Sequence, residues 1–147
     1  MYANNTTQAE LEGFIATWQV DGLGTKAAFK SLKELLEKNK NTFISFHARP
    51  GITCSMRAQI DIGQGKEGSL YAMVDVIDDD PAQRWLSVCF YGEKITDPDG
   101  LGDFVPGGLL GQDAVCFDYD AENGELLGYI HKRIMESYES SCDLVPA

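Results

Sequence analysis

Between Thr42 and Gly92 the chain passes through four strand-like segments whose connections are too short for a crossover, and no other feature constrains its fold as much. The segments are "TFISFHA" (Thr42 to Ala48), "TCSMRAQIDI" (Thr53 to Ile62), "SLYAMVDVID" (Ser69 to Asp78) and "RWLSVCFYG" (Arg84 to Gly92). All are rich in β-branched and aromatic residues, with apolar and polar positions alternating. The links "RPGI", "GQGKEG" and "DDPAQ" carry turn residues. Consecutive parallel strands need a crossover of about a dozen residues or more, so these strands must run antiparallel. A fifth strand, "AVCFDYD" (Ala114 to Asp120), follows a long glycine-rich stretch.

Helical periodicity flanks this region. Thr7-Gln8-Ala9-Glu10 has the form of a capping box, and Leu11, Phe14, Ile15 and Trp18 make one apolar stripe before "VDGLG" interrupts it. Thr25 is placed to cap a second helix with the stripe Ala28, Phe29, Leu32, Leu35 and Leu36. A C-terminal helix carries Leu126, Leu127, Ile130, Ile134 and Tyr138 on one face. Three apolar stripes need a common partner, and one face of the sheet supplies it. The expectation is a single α+β domain over residues 1–147, with 1–6 and 143–147 as flexible tails. It contains one antiparallel sheet of about five strands, with two N-terminal helices and one C-terminal helix packed on one face.

The net charge of −11 repels nucleic-acid backbones and anionic membrane surfaces, so neither is expected as a partner. The charge is unevenly spread: residues 26–66 carry a net +5, whereas residues 67–125 carry −12. The plainer reading is solubility; the sharper one is that opposite-sign halves steer assembly or capture a charged ligand. No apolar run approaches the ~20 residues that cross a bilayer, and "MYANNTTQAELEG" has no secretory pattern. Cys54, Cys89, Cys116 and Cys142 are scattered without metal-ligand spacing, which suits reduced thiols in the cytoplasm.

Alternation assigns Met56, Ala58, Ile60 and Ile62, then Leu70, Ala72, Val74 and Val76, to the face under the helices. Leu86, Val88 and Phe90, then Val115, Phe117 and Tyr119, join them. The other face collects Arg57, Asp61, Tyr71, Met73, Asp75, Trp85, Cys89, Tyr91, Cys116 and Asp118. Aromatic residues and methionine among a few charges suit a binding surface. A homodimer interface ranks first, ahead of a groove for a ligand or partner and a face covered by loops. Arg57 and Asp75 are placed to pair across neighbouring strands.

The stretch "TDPDGLGDFVPGGLLGQD" (Thr96 to Asp113) matches no EF-hand, Walker A or GxGxxG pattern. Its apolar Phe104, Val105, Leu109 and Leu110 predict an ordered loop packed over a sheet edge or a second subunit, with aspartates at its rim. Arg49 and Arg57 lie near one hairpin and suit a small anionic ligand, or loop acids such as Asp97, Asp99 and Asp103. With Tyr71, Asp75, Trp85 and Tyr91, these residues are the candidate ligand- or partner-binding set.

Two weaker chemical readings remain. Asp78, Asp79 and Asp80 are hard oxygen donors for a divalent metal, against the plainer reading of a hairpin turn fixed by Pro81. His47 and Cys54 face each other across the first hairpin turn as the best nucleophile–base pair available. No cofactor is implied. The favoured function is a non-enzymatic binding or regulatory module that self-associates through its aromatic sheet face. The alternative is a small hydrolase-like enzyme using the Cys/His pair or a loop-bound metal.

Overall fold

The computed structural model describes residues 1–63 and 66–142 of the protein; the expected tail 143–147 lies outside them. Helices α1 (Asn5–Thr17) and α2 (Lys26–Lys38) precede a meander of β1 (Thr42–Arg49), β2 (Thr53–Asp61), β3 (Glu67–Ile77) and β4 (Trp85–Tyr91). A short 3-10 turn, Gly92–Lys94, leads toward β5 (Asp103–Leu109) and β6 (Gln112–Tyr119), and α3 (Gly124–Cys142) closes the chain. One antiparallel sheet results, in the order β1-β2-β3-β4-β6-β5. Residues 1–3, expected as part of a tail, run beside β1: Tyr2 bridges Ile44, and the Ala3 amide donates to the Ile44 carbonyl at 2.9 Å.

The main core lies between the helices and one sheet face. Leu11 and Trp18 of the α1 segment, Phe29, Leu32 and Leu36 of α2, and Ile130 and Ile134 of α3 are buried against Met56, Val74, Val88 and Phe117. The apolar stripes therefore sit where their helical period directs them. Both N-terminal caps differ from expectation. Helix α1 begins before the Thr7 capping box, because the Asn4 side chain accepts from the amides of Thr6 (3.0 Å) and Thr7 (2.9 Å). At α2 the Thr25 hydroxyl is drawn inward and donates to the Arg84 carbonyl at 2.5 Å. The Asp21 carboxylate takes over the capping, accepting from the amides of Thr25 (2.9 Å) and Lys26 (3.2 Å).

Strand alternation holds for β4 and β6, and for β2 up to Ile60, but it fails at one point in β3. Ala58 pairs with Ala72 and Gln59 with Leu70, so Tyr71 is the extra residue of a β-bulge. A bulge places two successive side chains on one face. Tyr71 and Ala72 both enter the main core, while Leu70 turns to the other side. Tyr71, predicted on the mixed face, is fully buried: its hydroxyl meets Thr42 (2.9 Å) and Asn39 (3.3 Å), and its carbonyl accepts from Ser137 (2.5 Å).

The sheet has six strands rather than about five, because part of the glycine-rich stretch is itself β5. Pro106 lacks an amide donor and glycine is a poor strand former, so this segment gives almost no strand signal. It is accommodated at the sheet edge, paired only with β6, and broken by a register shift between Val105 and Leu109. Gly107 lies at φ +63, and a Cβ at Gly108 would stand 2.3 Å from Val105 Cγ1. These glycines build the kink.

Leu110 (φ 50) and Gly111 (φ 84) then turn the chain into β6. Two consecutive positive-φ residues form the hairpin turn that favours Asn-Gly. Leucine there is strained and, at 65% exposure, gains little from burial. Leu110→Asn is expected to stabilise the fold by about 0.5–1 kcal/mol, read as a raised denaturation midpoint in urea.

Candidate functional site

The face of the sheet away from the helices is divided in two. Toward β4 and β6 the β5–β6 hairpin folds back and covers it. Leu109 is fully buried there with Leu70, Cys89 and Ala114, beside Met73, Tyr91 and Cys116. Toward β1 and β2 the face stays open as a groove of about 610 Å³, within the usual range for ligand sites. Its floor is His47, Arg49, Thr53, Ser55, Arg57, Met73 and Asp75, and one wall is Gly108 and Leu110 of the hairpin.

Register explains the floor. Cross-strand partners place His47, Ser55, Asp75, Ser87 and Asp118 in one polar row across five strands. The next row is Ser45, Arg57, Met73, Cys89, Cys116 and Asp103. Within the groove Arg57 Nε donates to the Ser55 hydroxyl (3.2 Å), and Arg49 Nη2 donates to the Thr53 hydroxyl (3.4 Å). A ring nitrogen of His47 stands 3.3 Å from the Ser45 hydroxyl. Partial burial and the Arg57 guanidinium hold the His47 pKa below its ordinary value, with Glu67 opposing.

The expected ion pairs are not made. Among the described residues the salt bridges are Lys33–Glu37, Asp78–Arg84 and Arg133–Glu136, so neither Arg49 nor Arg57 has a carboxylate partner. Arg57 lies opposite Met73, and Asp75 lies opposite Ser55, which leaves the proposed Arg57–Asp75 pair diagonal and unformed. The loop acids lie elsewhere. Asp97 accepts from the amides of Leu101 (3.0 Å) and Gly102 (2.9 Å) and from the Tyr129 hydroxyl, closing a turn beside α3. The Asp99 amide donates to the same tyrosine oxygen at 3.2 Å, and Asp103 sits in β5 opposite Cys116.

The two chemical alternatives lose their geometry. Cys54 is buried in the main core, with its thiol pKa pushed up by desolvation and by Asp78, whereas His47 lines the groove on the opposite face. The direct cross-strand neighbour of His47 is Ser55, and that of Cys54 is Ala48. Asp78, Asp79 and Asp80 do not converge either. Asp78 turns inward to Arg84 at 2.6 Å, Asp79 is exposed, and Asp80 caps the turn by accepting from the Ala82 amide at 3.1 Å. Among the described residues no group of three or more His, Cys, Asp or Glu side chains is placed to hold a metal.

Of the candidate binding residues, the structure therefore brings together Arg49, Arg57 and Asp75, and His47, expected instead as the catalytic partner of Cys54, joins them. Trp85 is half-buried, placed in the row of Arg49, Thr53 and Ile77, and Tyr91 packs under the hairpin. Sequence reasoning missed Thr53, Ser55, Gly108 and Leu110. The two hydroxyls were visible as outward positions of β2, but nothing local showed that the hairpin tip returns over the sheet. Comparison with protein families, with curated proteins and with solved structures finds no match to this chain.

Proposed function

We propose that this protein is a non-enzymatic binding or regulatory module whose open sheet face takes a carboxylate- or phosphate-bearing partner. One observation carries the reading: Arg49 and Arg57 present guanidinium groups to the groove and, among the described residues, their side chains bond only to neutral hydroxyls. Arginine's planar fork matches carboxylate and phosphate oxygens. Asp75 on the same floor limits how much negative charge an occupant can bring and orients it toward the β1–β2 side. A reducing compartment such as the cytoplasm suits four free thiols.

The test is calorimetric titration with inorganic phosphate and with a short oligoglutamate peptide at low salt. Binding is expected, weakened about tenfold by either Arg49→Ala or Arg57→Ala, the loss of one charge-assisted hydrogen bond. The His47 imidazole reports independently by NMR. It stays neutral in the free protein down to pH values below its ordinary pKa, and a bound anion raises that pKa by favouring the charged ring. A His47 titration indifferent to both probes, with no heat of binding, overturns the reading.

A second reading, self-association as a homodimer, is favoured at a different place from the one the sequence suggested. With Tyr71 inside and Tyr91 covered, the aromatic face is depleted. Edge strand β5 instead exposes Phe104 (64%) and Val105 (37%). An apolar edge strand is a template for pairing with another chain. Light scattering after size exclusion decides it: a wild-type dimer that Phe104→Glu converts to monomer supports this reading, and a wild-type monomer refutes it.

A further inference from the structure

On the helix side of the sheet, a second cavity of about 370 Å³ opens between α1 and the β1–β2 hairpin. Its walls are Gly13, Phe14, Phe46 and Pro50, and its polar end is Arg84 with Asp78. Arg84 is 6% exposed, held by Nε to Asp78 at 2.6 Å, with its guanidinium 4.7 Å from the Phe14 ring and 5.5 Å from that of Trp18. Among the described residues its Nη1 is buried without an acceptor, and so is Nε1 of Trp18, over whose ring the guanidinium lies. Buried donors are nearly always satisfied, so the unsatisfied Arg84 donor at the cavity's polar end calls for an acceptor from outside the chain.

Gly13 supplies an independent observation. It stands inside α1, where glycine is among the least favourable residues, and a Cβ there would meet no atom within 4 Å. No packing constraint in the fold explains the absence of a side chain. What it does is leave the cavity wall open.

The charge around the cavity selects among ligands. Asp78 already neutralises Arg84, and Glu10 lines the cavity as well, so the surroundings carry excess negative charge. A carboxylate is repelled, while the aromatic and proline walls favour an apolar body. We infer that this cavity binds a small, uncharged, largely apolar molecule bearing an acceptor oxygen (a ketone, ester or amide), with that oxygen directed at the Arg84 guanidinium.

The probes are acetophenone, isopropylbenzene (of similar size without the oxygen) and benzoate, each followed by ¹⁵N NMR of the full chain. Acetophenone is expected to shift the Arg84 Nε–H and Trp18 indole N–H resonances saturably, the indole peak being distinguished from that of Trp85 by Trp85→Phe. Isopropylbenzene is expected to bind at least about tenfold more weakly. Gly13→Leu, which adds a strong helix former and fills the open wall, is expected to remain folded by circular dichroism and to lose the response. Four results overturn the inference: no saturable shift with acetophenone, equal affinity for isopropylbenzene, tighter binding of benzoate, or an undiminished response in folded Gly13→Leu.

Discussion

Asp78→Ala is expected to destabilise the protein by about 3–5 kcal/mol, the cost of leaving a buried guanidinium without its partner. Asp78 and Arg84 have side chains only 5% and 7% exposed, and the same carboxylate also accepts from the Gly51 amide at 3.1 Å. Its loss therefore leaves the buried Arg84 guanidinium without its carboxylate and removes the contact to the Gly51 amide. At this chain length the cost lowers the melting temperature by roughly 10 °C or more. The companion variant separates pairing from packing. Asp78→Leu combined with Arg84→Met removes both charges and is expected to recover most of the lost stability, since apolar residues of similar volume replace buried ion pairs at little cost. A single variant within about 0.5 kcal/mol of wild type, the usual range for surface substitutions, contradicts the buried-pair reading.

Leu109→Ala is expected to release the β5–β6 hairpin from the sheet. Leu109 is fully buried in the small outer cluster, and truncating such a residue costs about 2–5 kcal/mol. Because β5 is an edge strand paired only with β6, the loss is concentrated locally. Amide hydrogen exchange from Asp103 to Leu109 is expected to accelerate at least about tenfold, while β2 and β3 keep their protection. The same change removes one wall of the groove, since Gly108 and Leu110 flank the anchor, so affinity for an anionic probe should fall with it. Unchanged exchange in β5 means that the hairpin is held by something other than Leu109.

Much of this architecture is legible in the residues. Leu32 and Leu36, or Ile130 and Ile134, declare their helices by spacing, and Leu86, Val88 and Phe90 declare a half-buried strand. Two kinds of feature are not legible. Where a segment lacks local preference, as in Val105-Pro106-Gly107-Gly108, its strand state comes from the neighbour that pairs with it. Where a register irregularity intervenes, alternation inverts, and Tyr71 exchanges faces with Leu70. The candidate sites follow the same division. Arg49, Arg57, His47 and Asp75 are outward positions recognisable from strand periodicity. Their separation from Asp97, Asp99 and Asp103 depends on Tyr129 and Glu136 of α3, which tie down the start of the glycine-rich stretch.

Periodicity and connection length alone determined the helix–meander–helix order, the antiparallel pairing and the side of the sheet under the helices. These rest on interactions within a few residues or between adjacent strands. Tertiary structure decided whatever depends on long-range packing. It folded the hairpin over half of the open face, split His47 and Cys54 onto opposite faces, and turned Asp78 from a turn acid into the partner of buried Arg84. The physical reason is that a side chain's direction follows from local backbone geometry. Its partner follows from which surfaces the whole chain must remove from water.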